Sequence, residues 1–238
     1  PGRYLGDDQR LEEWKRNSKG LYATNGGIAG FIWKSEIAAK LGQSDPDLFM
    51  FCVPGWFRGY SVGWPEETLQ QHNWFSWVIL KGHTNNTGSI SLNASHPASP
   101  FHRPMIDFRN FHGGSRQDAD LAAVVEGMRF CQDLFQPQIS AGKARPWWPT
   151  PKIWSWEKNS SDFREHALKE AWGHHASCTC PIGPDPRKVS DEWKRKNYIP
   201  VLDSRFRVHG VSRLRVVDAS VFPKIRSHSP GLYCIRTV

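Results

Sequence analysis

Two histidines and two cysteines fall within seven residues of the stretch Ala171–Asp185, AWGHHASCTCPIGPD. Three chemistries suit these residue types. Zinc takes His and Cys in a tetrahedron, usually from pairs spaced C-x2–4-C or H-x3–5-H. Here His174, His175, Cys178 and Cys180 are spaced H-H-x2-C-x-C, and no second cluster in the sequence completes a ligand set. A thiol redox pair normally uses C-x-x-C at a helix start, whereas this pair is C-x-C followed by Pro181. The third chemistry is a single catalytic histidine, because a neutral imidazole in a loop accepts a proton from a substrate hydroxyl near neutral pH. On spacing alone all three stay open.

The elements around this stretch set its position. Residues 161–172, SDFREHALKEAW, place Phe163, Ala167, Leu168 and Ala171 on one face behind a Ser-Asp start, which predicts a helix that delivers the chain to His174-His175. Apolar residues at 121, 124, 125, 128 and 131 predict a longer amphipathic helix over 118–135. The runs PDLFMFCVP (46–54) and NWFSWVILKGHT (73–84) read as strands. SISLNA alternates with period two, and MIDF follows after a proline-broken loop. Residues 22–33 are Gly-rich, too irregular for a helix and without the order G-x-G-x-x-G. Residues 1–20 carry a short helix at Leu11, Trp14 and Lys15, and LRVVDAS (214–220) reads as a buried strand with a polar tip. The class expected is α+β, an antiparallel sheet covered by helices.

Bulk composition narrows the function. The chain has 238 residues, 39% hydrophobic, enough to build a core. Net charge is +8, concentrated in the C-terminal third as Arg187-Lys188, Lys194-Arg195-Lys196 and Arg205 to Arg215. That pattern lacks a recognition helix, so a solvated face is expected and nucleic acid is not. No apolar run approaches the roughly 18 residues of a membrane span. Five cysteines, at 52, 131, 178, 180 and 234, do not form a disulfide framework. Sequons at Asn85, Asn93 and Asn159 permit secretion without requiring it, and no signal peptide is read at Pro1-Gly2-Arg3-Tyr4. Twelve tryptophans, including those of RPWWP (145–149) and IWSW (153–156), favour core packing, with a carbohydrate- or ligand-binding module as the alternative.

One long ordered signature goes further. His175, Thr179, Cys180, Gly183 and Asp185 are followed by Val201, Asp203, Arg207, Val208 and Gly210, and then by Leu214 to Ser220. This is similar to the C-terminal signature of the glucose–methanol–choline oxidoreductases: His-x-x-x-Thr-Cys-x-x-Gly-x-Asp, Val-x-Asp-x-x-x-Arg-Val-x-Gly, Leu-Arg-Val-Val-Asp-Ala-Ser. Residues 82–108 resemble the family's substrate-domain strand pair, with Ser95-His96-Pro97 in the connecting loop.

The resemblance implies an FAD-dependent alcohol oxidoreductase. In that family an N-terminal βαβ unit with G-x-G-x-x-G holds the ADP part of FAD, and a substrate domain covers the flavin. This chain is expected to be the substrate domain, 1–200, with a segment 201–238 returning as a late strand to the FAD domain. His175 would take the proton of an alcohol substrate while hydride moves to flavin N5, with His174 as second choice. The family places an Asn or His four residues after the Ile of Pro-x-Ile-Pro. Here counting from Ile225 gives Ser229, with His228 one earlier and Arg226 in place of Pro. Asp218, Ala219, Ser229, Pro230 and Gly231 would lie near the cofactor. Cys178 and Cys180 become packing residues, and no metal is expected. Without the N-terminal FAD domain as partner, the chain is expected to bind FAD poorly and turn over no alcohol.

Overall fold

A computed structural model describes residues 8–24, 26–71, 73–85, 88–95, 101–111, 115–147, 161–173, 175–196, 198–224 and 236–237. Two compact units form. The first comprises 1–80, 122–172 and 237–238, and the second 81–121 and 173–236. Compactness groups 173–200 with 81–121 and with 201–236.

In the first unit, α1 (Gln9–Asn17) starts at Asp8, whose carboxylate accepts from the Arg10 and Leu11 amides and from the Tyr22 hydroxyl. Strand β1 (Ala29–Trp33) pairs antiparallel with β2 (Leu48–Val53), Phe31 opposite Met50. The Gly-rich 22–33 segment thus holds a strand that its irregular composition conceals. Strand β2 alternates between buried Leu48, Met50 and Cys52 and half-buried neighbours, the period-two pattern of a sheet with one face on the core. Strand β3 (Ser76–Lys81) lies beside β2. Between β1 and β2, α2 (Glu36–Lys40) is capped twice. The Ser35 hydroxyl accepts from Ala38 N–H and donates to Asp47 at 2.8 Å, while Glu126 accepts from Glu36 N–H and Trp33 Nε1–H. Helix α3 (Trp64–Gln70) follows β2.

The long helix α4 (Ser115–Ser140) supplies Ala123, Met128, Phe130 and Cys131 to the core of the first unit with Leu48, Met50 and Ile79. It runs one turn beyond the expected end. Pro137 lies in its last turn, and beyond it the Ala141, Gly142 and Lys143 amides donate to the Pro137, Ile139 and Gln138 carbonyls and close the terminus. Helix α5 (Ser161–Glu170) buries Phe163 and Ala167 as expected. No described helix is long and apolar enough to cross a membrane.

In the second unit, β4 (Ser89–Ser91) and β5 (Met105–Asp107) form a short antiparallel ribbon, Ile90 opposite Ile106. The unit also holds a buried ion pair, Lys81 Nζ to Asp120 at 3.6 Å, and Asp120 accepts from the Asn85 backbone and side-chain amides. Burial pushes the Asp120 carboxyl up, and Lys81 partly offsets this. Helix α6 (Asp191–Lys196) follows the motif loop. The chain is a mixture of helices and small antiparallel sheets, consistent with the α+β class.

Candidate functional site

Helix α5 ends two residues before Trp172, and the chain then turns into the loop that carries a half-buried His175. What fixes this loop is backbone hydrogen bonding downstream of the histidine. The amides of Cys178, Cys180 and Ile182 donate to the carbonyls of Ala219, Ser220 and Val221 at 3.3, 2.9 and 2.9 Å. Cys178 sits at φ +70, which lets the chain turn into this ladder. On its other side, Pro181 O accepts from Val201 and Leu202, and Gly183 N–H donates to Leu202 O at 2.9 Å. Leu202 is completely buried.

Each remaining motif residue has a local task. A side chain on Gly183 would put Cβ 2.8 Å from Pro200 Cγ, so only glycine fits. The Gly183 carbonyl meets His209 Nε2 at 3.1 Å. Asp185 holds Arg187 through its backbone amide and its guanidinium, at 2.6 Å for Nη2. Gly210, at φ +80, leaves room for that guanidinium. Asp203 binds the Arg205 and Arg207 amides and Arg207 Nε at 2.7 Å. The hydrogen bonds from Arg187 hold the Asp185 carboxyl far below the usual carboxylate range, and those from Arg207 bring Asp203 down to about 2. Asp218 caps the short 3-10 turn Ala219–Val221 through Ser220 N–H and the Ser220 hydroxyl, which lowers its pKa.

The structure thus joins the His175 loop to Asp218 and Ala219 through the Cys178–Ala219 bond. His174, His228, Ser229, Pro230 and Gly231 lie outside the described residues. The strand expected over Leu214–Ser220 does not form: only Arg207 and Arg215 make an antiparallel bridge there, and Leu214 and Val217 are 48% and 71% exposed. An apolar run satisfies the pattern of a buried strand without the chain itself covering it. Cys178 and Cys180 are half-buried free thiols. Among the described residues no group of three or more His, Cys, Asp or Glu is placed to hold a metal. His209 was not singled out by motif reasoning, because its partner is a backbone carbonyl that sequence does not reveal. Trp74 and Trp77 line a cavity in the first unit, while Trp172 packs edge-on against Phe57 and Tyr60.

A mixed α+β chain whose signature residues tie one histidine loop to a capped aspartate turn belongs among the oxidoreductases that carry this signature. A family model described as GMC oxidoreductase matches residues 84–236, and the chain belongs to that family. It is 34% identical over 214 residues to an oxygen-dependent choline dehydrogenase of Yersinia pseudotuberculosis, covering 90% of this chain and 32% of that protein. The corresponding protein of Serratia proteamaculans is 34% identical over 215 residues, covering 90% and 33%. A patulin synthase of Aspergillus clavatus is 26% identical over 184 residues, covering 76% and 26%. The chain spans about a quarter to a third of the length of these relatives.

Proposed function

We propose that this chain is the substrate-side part of an FAD-dependent alcohol oxidoreductase, with His175 as the base for the substrate hydroxyl. The observation that carries the reading is the Cys178–Ala219 tether: it makes the His175 loop and the Asp218–Ala219 turn one hydrogen-bonded body. FAD, when bound, supplies the hydride acceptor. The residues beside the turn fit such a group: Val217 is exposed and apolar, and Ala219 adds only a methyl group, so a flat ring can approach them closely. His175 takes the hydroxyl proton into its ring, which raises electron density at the carbinol carbon and favours hydride loss. His228 or Ser229 is the second polar group on the substrate oxygen. The segment 201–238 is the side of the chain that meets the flavin-binding domain. That domain holds the ADP half of FAD outside these 238 residues, a reading supported by the lack of G-x-G-x-x-G here.

The test is made on the chain joined to its flavin-binding part. His175→Ala should lower kcat for the alcohol by about 10²–10⁴, while His174→Ala leaves it within a few-fold. The opposite ranking would remove His175 from the role. The 238 residues alone, mixed with FAD and passed through gel filtration, should emerge colourless, and a retained stoichiometric flavin band would refute the division of the cofactor site.

A further inference from the structure

The first unit contains a cavity of about 500 Å³ to which no residue of the signature contributes. That volume lies within the range of small-molecule sites. Its walls are aromatic. Trp56, Trp74 and Trp147 pack against one another with centroids 4.8 to 5.8 Å apart, and Phe135 lies 6.0 Å from Trp77 across the floor. Two features depart from an ordinary core. Trp77 Nε1–H is buried with no hydrogen-bond partner, an arrangement that costs free energy unless something else accepts. The charged lining residues are Arg58, Lys143 and Arg145, and no Asp or Glu lines the cavity among the described residues.

Its uncharged polar side chains, indole N–H groups aside, are Asn73, Ser76 and Gln132, and the Ser76 hydroxyl is committed, accepting from Phe57 N–H and donating to Gly55 O. A sugar, whose many hydroxyls call for carboxylate as well as amide partners, finds no carboxylate among the described lining residues. A quaternary ammonium finds aromatic faces but also three cations. We propose that this cavity binds a flat aromatic acid, its ring against the Trp56, Trp74 and Trp147 cluster and its carboxylate toward Lys143 and Arg145, with Trp77 Nε1–H donating to an acceptor on the ligand. The inference stands on the first unit alone and is independent of the role given to His175.

Calorimetry on the full chain with three probes of one shape tests it: biphenyl-4-carboxylate, biphenyl-4-methanol and 4-biphenylmethyl-trimethylammonium. The acid should bind one per chain, about tenfold or more tighter than the alcohol, with the ammonium weakest. Lys143 and Arg145 are exposed, so the double variant Lys143→Gln, Arg145→Gln should fold. It should erase the preference for the acid while leaving the alcohol's affinity unchanged. Trp147→Ala, at the 45% exposed edge of the cavity, should weaken acid and alcohol alike. Absence of saturable binding by any probe overturns the proposal. So does an ammonium bound as tightly as the acid, or an acid preference that survives the double variant. None of these readouts needs alcohol turnover, so failure here and failure of the His175 reading are separate results.

Discussion

In the first unit, Leu48, Met50 and Ala123 lie at 2% exposure or less, and Phe31, Trp77, Met128 and Phe130 surround them. In the second, Leu202 and Val221 are buried near Pro181 and Pro200, and carboxylate-locked turns do most of the remaining work: Asp185 with Arg187, Asp203 with Arg207, Asp218 with Ser220. One unit keeps its shape by burial and the other by satisfied turn chemistry. The two regimes constrain sequence differently. A core accepts many apolar residues of about the right size. A turn that needs a carboxylate at one position, an arginine two or four residues on and a glycine at positive φ accepts few. The signature residues therefore concentrate where regular secondary structure is sparse.

The largest effect that tests this contrast lies in the first core. Met50→Ala removes a completely buried side chain from β2 and should cost about 2–5 kcal/mol, measured by urea unfolding followed through tryptophan fluorescence. A cost below about 1 kcal/mol would mean that burial does not hold this unit.

This difference also sets what the sequence reveals. Helices α4 and α5 were legible because periodic burial leaves a periodic trace, Phe163 and Ala167 recurring one turn apart, whereas strands β2 and β3 were legible as short apolar runs, the first ended by Pro54-Gly55 and the second rich in aromatic and branched residues. Strand β1 was not, since Ala29-Gly30 and the glycines before it carry no period, and its place depends on partners some twenty residues away in β2. In the second unit the order of the signature residues was legible, whereas their tasks were not. Asp203 and Asp185 read as members of a motif, and only the hydrogen bonds show them to be turn locks. Leu214–Ser220 misled for a physical reason. Apolar character says that a segment is to be covered, without saying by what.

The middle-sized effect is acid sensitivity in the second unit. Arg207 holds the Asp203 carboxyl down to about 2, below its ordinary 3.8. A carboxyl lowered by folding contributes stability above its unfolded pKa and loses that contribution as pH falls through the folded one. Hydrogen-exchange protection of the Val208, His209 and Val216 amides, which close this turn region, should therefore be level from pH 7 to about pH 4 and decline from there toward about pH 2. Asp203→Asn should flatten that decline. Protection that already fails between pH 6 and 5 would show that another group governs the unit.

The smallest effect separates the units thiol by thiol. Cys52 and Cys131 are buried in the first unit, and burial, aided by Cys52, pushes the Cys131 thiol up to about 12. Only the thiolate attacks a maleimide, so at pH 8 about one Cys131 in 10⁴ is reactive even before access is considered. Cys178 and Cys180 are half-buried in a segment held by backbone bonds rather than by a core. Maleimide labelling at pH 8, resolved by peptide mapping, should modify Cys178 and Cys180 first and Cys131 only when urea opens the first unit. Equal labelling of Cys131 and Cys180 in the native protein would mean that the first unit opens as readily as the second, and the distinction between a buried core and a turn-locked unit would fail. Labelling of Cys180 that appears only together with Cys131 in urea would mean that the turn locks protect as well as a core does.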